Sequence, residues 1–101
     1  MSVRTNVSDD GKILSILVDG KFNFSILSEF RNAYTGDYGA IKDYVVDLRG
    51  TDSMDSSALG MLLNMKKHVD KNDNDIKIVN CKPVVKKILM IARFDKKFNI
   101  E

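Results

Sequence analysis

The sequence is poor in cysteine, proline and histidine, and it contains no long apolar run. Among 101 residues there is one cysteine, Cys81, one proline and one histidine. A single cysteine cannot form an intramolecular disulfide, so we expect a reducing compartment and interpret Cys81 as a small buried residue at a strand end. Nowhere do about eighteen apolar residues run together, and residues 1–12 lack the apolar stretch of a signal peptide. These absences predict a cytoplasmic protein without membrane insertion.

Charge of one sign is not in large excess either. Sixteen lysines and arginines stand against fourteen acidic residues, which gives a net charge of +2, too small to indicate direct nucleic-acid binding. Several basic residues cluster late in the chain, and we interpret them as a solvated helical face. They are Lys82, Lys86, Lys87, Arg93, Lys96 and Lys97. With 44% hydrophobic and 30% charged residues, the chain is expected to fold as a single domain over residues 1–101.

The apolar pattern predicts strands that alternate with helices. Strands are expected at residues 2–7, 13–18, 44–48, 75–79 and 98–100. Helices are expected from Ile26 to Tyr34, from the Asp55-Ser56-Ser57 segment to the polar break at 70–74, and from Pro83 onward. The first two strands form a hairpin around Asp9-Asp10-Gly11, and the strand at 44–48 is buried centrally. We therefore predict an α/β fold with a mixed, mostly parallel sheet, an antiparallel N-terminal hairpin and three or four α-helices.

The second predicted helix carries an apolar stripe and an outer face. The residues expected to face the core are Leu59, Leu62, Leu63 and Val69. The residues expected outside are Gly60, Asn64 and Lys67, with either Met61 or Met65. Methionine at an exposed position suits an adaptable binding surface, although methionine more often fills a core.

The segment from Val45 to Gly60 is the most informative one for function. A buried strand leads into a predicted loop at its carboxyl end, where ligands and partners bind in open α/β sheets, and that loop opens onto a helix. Ser56 and Ser57 then lie at the helix N-terminus, where unpaired N–H groups and the helix dipole stabilise a phosphate. Asp55 or Ser56 is equally well suited to be an N-cap. The two interpretations are compatible, because a capping hydroxyl that faces solvent is accessible to a kinase.

Catalysis is disfavoured by the spacing of the remaining reactive groups. His68, the only histidine, lies twelve residues beyond Ser56 on the same helix, about 18 Å away, so it cannot serve as its base. Asp47, Asp52 and Asp55 do not match a calcium loop, and a glycine-rich phosphate loop is missing. We therefore predict a protein that is not an enzyme and needs neither a metal nor a cofactor.

Two motifs in the central segment resemble a known family. Val46-Asp47-Leu48, followed by the segment Met54–Gly60 with the sequence MDSSALG, is similar to the signature of STAS domains of the anti-sigma factor antagonist type. The resemblance extends to Val18-Asp19-Gly20, to Ile78-Val79-Asn80 and to the segment from Pro83 to Ile100. It therefore covers nearly the whole chain.

The resemblance implies a phosphorylation switch. In this family the first serine after the aspartate, here Ser56, is phosphorylated by a partner kinase. The unphosphorylated form is expected to capture an anti-sigma factor of the serine kinase type. Phosphorylation of Ser56 is expected to release this partner, and a metal-dependent serine/threonine phosphatase is expected to reset the switch. The predicted partner-binding residues are Asn23, Asp55, Ser56, Ser57, Gly60, Met61 and Asn64. Segments 80–89 and 98–101 also resemble a branch linked to response regulators that control biofilm and motility.

The chain departs from the family pattern at three places. Ala58 replaces a glycine, and its methyl group is expected to alter how closely a partner approaches the helix. Asn23 replaces a common aspartate, and Arg93-Phe94 replaces glycine-leucine. Two other functions stay open. One is a STAS subunit that acts constitutively in a transporter or stress-signalling complex, and the other is a small nucleotide-binding or hydrolytic domain.

Overall fold

The computed structural model describes residues 2–70 and 75–101, apart from the side chains of Asp70 and Asp75. Most of the polar break predicted at 70–74 lies outside these residues. The strands are β1 Val3–Val7, β2 Ile13–Val18, β3 Gly20–Phe22, β4 Asp43–Asp47, β5 Thr51–Met54, β6 Asp75–Val79 and β7 Asn99–Ile100. The α-helices are α1 Leu27–Thr35, α2 Ser56–Asp70 and α3 Pro83–Ile91, and two short 3-10 turns cover Phe24–Ile26 and Phe94–Lys96.

The main sheet has five strands in the order β1-β2-β4-β6-β7. β1 and β2 pair antiparallel, with Val3 opposite Val18, and the other pairs are parallel. β4 therefore lies in the centre, where Val46 is fully buried. The predicted mixed sheet with its N-terminal hairpin and three α-helices is confirmed.

The helices cover one face of this sheet. Each successive crossover moves one strand further in the same direction, and right-handed crossovers then place α1, α2 and α3 on the same side. Leu14, Ile16 and Val18 of β2 point to that side and are completely buried, whereas Leu17 is only half-buried on the other face. Within the described residues, no helix combines the length and the apolar character needed to cross a bilayer.

A second, two-stranded sheet was not expected from the sequence. β3 and β5 pair in parallel, although the residues after β4 were predicted to form a loop. Thr51 anchors β5 beside the main sheet, because its hydroxyl donates a hydrogen bond of 2.7 Å to the Val18 carbonyl. The Gly20 N–H also donates to the Gly50 carbonyl at 2.8 Å. This small sheet sets the position at which α2 begins.

The apolar stripe of α2 differs from the prediction at two positions. Met61 and Met65 are buried, so the expectation that one of them lies outside is wrong. Leu63, expected in the core, is 38% exposed. The buried residues follow a three- and four-residue spacing that begins one residue earlier than predicted. They are Ala58, Met61, Leu62, Met65 and Val69.

Candidate functional site

The carboxyl ends of β3 and β5 bring two distant parts of the chain together. Phe22 is in register with Met54, and the Asp55 N–H donates to the Phe22 carbonyl at 3.4 Å. Asn23 and Asp55, the residues that follow these strands, therefore lie side by side. α2 starts one residue later, so Ser56 directly follows Asp55 at the helix N-terminus.

Asp55 is the N-cap of α2. One oxygen of its carboxylate accepts a hydrogen bond from the Ser57 hydroxyl at 2.6 Å and from the Ala58 N–H at 3.2 Å. The hydrogen bond from Ser57, followed by those from backbone N–H groups, lowers the pKa of the Asp55 carboxyl below its ordinary value. Of the two residues proposed as a cap, Asp55 fills the role and leaves Ser56 without it.

The two serines at this terminus are not equivalent. Ser56 is exposed, and within the described part of the chain its hydroxyl has no hydrogen-bond partner. Ser57 is half-buried and donates its hydroxyl hydrogen to Asp55. The geometry therefore leaves Ser56 as the hydroxyl that is free to react at the N-terminus of α2.

Asn23 has a structural role within the candidate site. Its side-chain oxygen accepts hydrogen bonds from the Ser25 N–H at 2.9 Å and from the Ser25 hydroxyl at 2.6 Å, which caps the 3-10 turn that precedes α1. The next residue, Phe24, is 68% exposed. Phe24 was not among the predicted site residues. The sequence indicates its exposure only weakly, because Phe24 does not share the helical spacing of the buried residues Ile26 and Phe30.

The exposed side of α2 continues from the site. Gly60 and Asn64 follow Ser56 at intervals of four residues, and all three are exposed, so they lie along one face of the helix. Met61, the other predicted contact on α2, is 4% exposed and does not belong to this surface. Ala58 is completely buried. The expectation that its methyl group alters the approach of a partner is therefore wrong, because the methyl packs into the core.

The other carboxylates near the site are used to hold strands together. Asp47 accepts hydrogen bonds from the Arg49 N–H at 2.9 Å and from the Asn80 side-chain amide at 3.2 Å, which links the ends of β4 and β6. Asp52 on β5 pairs with Lys82, at 2.5 Å, just before α3. Among the residues the structure describes, His, Cys, Asp and Glu do not gather in any group of three that could hold a metal ion.

His68 lies apart from the serines, as the helical spacing predicts. It is exposed, and its ring packs against Tyr34 of α1 with a centroid distance of 5.4 Å. Cys81 is half-buried, and burial raises the pKa of its thiol, which opposes formation of a reactive thiolate. His68 therefore lies outside the candidate site, and the raised pKa of Cys81 disfavours its thiol as a nucleophile.

Removing the charge of Asp55 tests the cap. Asn is also a good N-cap residue, so Asp55→Asn removes mainly the charge. Because folding lowers the pKa of Asp55, the carboxylate stabilises the fold above its unfolded pKa, and this contribution disappears as the pH falls through the folded value. We expect Asp55→Asn to melt below the parent at neutral pH and together with it in acid. Thermal melts at a series of pH values measure this difference in melting temperature, with Asp9→Asn at an exposed position as the control. A difference between parent and Asp55→Asn that does not change with pH would contradict the role of the Asp55 charge.

Comparison with known proteins gives matches over nearly the whole chain. The family model described as the STAS domain matches residues 4–101. A STAS-domain containing protein of Pseudomonas aeruginosa strain UCBPP-PA14 is 41% identical over 100 residues, which is 99% of this chain and 99% of that protein.

Solved structures share the fold at low identity. The anti-sigma factor antagonist SpoIIAA in its unphosphorylated form has a TM-score of 0.75 at 15% identity, covering 98% of this chain and 86% of its own. The phosphorylated form of SpoIIAA from Bacillus has a TM-score of 0.73 at 14% identity, covering 98% and 90%. A sulfate transporter family protein from Wolinella succinogenes has a TM-score of 0.79 at 13% identity, covering 93% and 75%. From the family match and the sequence identity over its full length, this chain belongs to the STAS-domain family.

Proposed function

We propose that the protein is a phosphorylation-controlled binding switch and not an enzyme. The observation that carries this proposal is the hydroxyl of Ser56, which is exposed at the first residue of α2 beside the Asp55 cap and makes no hydrogen bond to a described residue. The unphosphorylated surface binds an anti-sigma factor of the serine kinase type in the cytoplasm. Phosphorylation of Ser56 releases this partner, and a metal-dependent serine/threonine phosphatase restores binding.

The exposed groups around Ser56 are suited to a protein partner. Phe24, which is 68% exposed, lies two residues beyond the end of β3 and offers an apolar contact next to the polar helix terminus. Gly60 has open space around the position of a β-carbon, so a partner is able to approach the α2 backbone closely there. Asn64 continues this surface by one further turn. An apolar anchor surrounded by polar groups is the usual composition of a docking surface.

The charge at the helix terminus explains how a phosphate reverses binding. At neutral pH a phosphate on Ser56 adds roughly 1.5 to 2 negative charges next to the Asp55 carboxylate. The N–H groups of α2 stabilise this charge in the free protein. In a docked complex the same charge is taken out of water and repels acidic groups of the partner, so the complex loses affinity while the fold is retained.

Relatives support both the proposal and one alternative. SpoIIAA, an anti-sigma factor antagonist, has been solved in unphosphorylated and phosphorylated forms, which agrees with a phosphorylation switch on this fold. The likeness to a sulfate transporter family protein favours the alternative, a STAS subunit that binds constitutively. A response regulator as a further partner stays a prediction from the resemblance of segments 80–89 and 98–101.

Phosphate mapping tests the assignment of Ser56. Tagged Ser56→Ala protein is used to capture partners from native lysate, and the captured kinase is then incubated with ATP and the parent protein. We expect one phosphate at Ser56 by mass spectrometry, because the Ser57 hydroxyl is bound to Asp55.

Ser57→Ala is the matched control, since it should still accept the phosphate whereas Ser56→Ala should not. Modification confined to Ser57 or to Ser53 would show that the wrong hydroxyl has been assigned.

A further inference from the structure

A groove between α1 and α2 lies away from Ser56 and has a different chemical character. Its cavity has a volume of about 270 Å³. Three of its lining residues belong to α1 and three to α2, and they are Arg31, Tyr34, Thr35, Asn64, Lys67 and His68. Asn64, the lining residue nearest to Ser56 in sequence, is eight positions further along α2, about 12 Å at the helical rise.

The groove is lined by basic groups that have no acidic partner among the described residues. Arg31, Lys67 and His68 border it, and the lining residues include neither Asp nor Glu. In the described ranges, none of these three side chains lies within ion-pair distance of a carboxylate. Elsewhere on the surface, Arg4, Arg49, Lys77 and Lys82 are each paired with an acid, and the groove is distinguished by bringing three basic side chains from two helices to one cavity.

The other lining groups add polar atoms to the groove and a buried aromatic ring that supports His68. Tyr34 is 7% exposed and packs against the rings of Phe30 and His68, with centroid distances of 5.7 and 5.4 Å. The Asn64 side chain has no hydrogen-bond partner within the described residues, so its amide group is free to donate. The helix dipole explains two basic residues in the last turn of α2, Lys67 and His68, but it does not explain Arg31 in the middle of α1.

The donors match the chemistry of a phosphate group. A guanidinium binds phosphate oxygens in pairs, a lysine ammonium contributes a compact charge, and imidazole and amide groups supply further N–H donors. These donors come from two helices and converge on one small cavity, which suits a compact anion better than an extended acidic segment.

We propose that the α1–α2 groove binds a small phosphate-bearing anion, such as a phosphate monoester, through Arg31, Lys67 and His68. Asn64 supplies an additional donor, and Tyr34 holds the His68 ring at the edge of the groove. This inference does not depend on phosphorylation of Ser56, because the groove is complete without it. Binding there links the packing of α1 on α2 to the presence of the anion.

The single histidine provides a direct probe for this site. Proton NMR resolves the His68 ring signals, and they are followed while inorganic phosphate or methyl phosphate is added at fixed pH and ionic strength. We expect a saturable shift with either phosphate and none with chloride. Arg31→Ala and Lys67→Ala should each weaken binding about tenfold, because each removes a charge-assisted hydrogen bond.

Matched controls separate a specific site from general attraction. Lys96→Ala and Lys97→Ala remove equally exposed cations outside the groove and should leave the affinity unchanged. An equal loss in these controls, or a linear shift without saturation, would overturn the proposal. Binding of a twelve-residue polyglutamate peptide but not of either phosphate would overturn the ligand class and assign the groove to an acidic protein segment.

Discussion

Ser56→Asp is expected to lose affinity for the captured kinase partner by about 30-fold or more, while Ser56→Ala binds like the unphosphorylated parent. A charge that becomes buried without a partner at an interface costs roughly 2 kcal/mol or more, which corresponds to this factor. The aspartate carries less charge than a phosphate, so full phosphorylation should weaken binding further.

Neither substitution should disturb the fold. Ser56 is exposed and its hydroxyl makes no hydrogen bond to any described residue, so its replacement removes no internal contact. An added carboxylate at the first residue of α2 is also favoured by the helix dipole. All three forms should therefore melt at nearly the same temperature.

Calorimetry against the partner, together with thermal melts, measures both expectations. Asn32→Asp is a useful control, because it adds the same charge at an exposed position of α1 that faces the edge strand β1. It should bind like the parent. Equal affinities for folded Ser56→Ala and Ser56→Asp would refute the switch. This result would not affect the proposal that the α1–α2 groove binds an anion.

The elements that the sequence predicts are those with a local apolar period. Ile26, Phe30 and Tyr34 repeat at helical spacing and form one face of the first helical region, and the run Tyr44–Leu48 is buried as a central strand should be. In these segments the pattern is fixed by neighbours in the chain. Ser56 could be placed at the helix start for the same reason.

The small sheet could not be predicted because its signal is not local. In β5 only the two end residues, Thr51 and Met54, are buried, so the strand is too short and too polar to show alternation. Its partner β3 lies far away in sequence. The core-facing side of α2 differs from the prediction for a related reason. Met61 and Leu63 are both apolar, and only packing against the sheet decides which of them is buried.

Conformation and hydrogen bonding at single residues are also hidden in the sequence. Arg93, at the position where the family commonly has glycine, adopts a φ of 62°, a left-handed conformation that favours glycine. The preference for Ser56 over Ser57 rests on one hydrogen bond to Asp55. The α1–α2 groove likewise requires Arg31 and Lys67 to meet in space, which no spacing within either helix reveals.

Phe22→Ala is expected to cause a large loss of stability, about 3–5 kcal/mol, because it leaves a cavity in the core. Phe22 is completely buried, and its ring packs against Phe30 with a centroid distance of 5.1 Å. Its carbonyl also accepts the hydrogen bond from Asp55 that joins β3 to the start of α2. The small sheet is thus held in place by a side chain that belongs to the main core.

Phe24→Ala is the matched control, since the same atoms are removed two residues later from a ring that is 68% exposed. Its effect on the free energy of unfolding should stay within about 0.5 kcal/mol. Urea unfolding measures both variants, with the midpoint reporting stability and an unchanged slope showing that the same surface is exposed. If Phe22→Ala is unfolded without urea, Phe22→Leu gives a smaller but measurable loss, because it keeps most of the buried volume. Similar midpoints for Phe22→Ala and Phe24→Ala would mean that β3 is not anchored by Phe22, and the placement of Asn23 beside Asp55 would then lack its structural support.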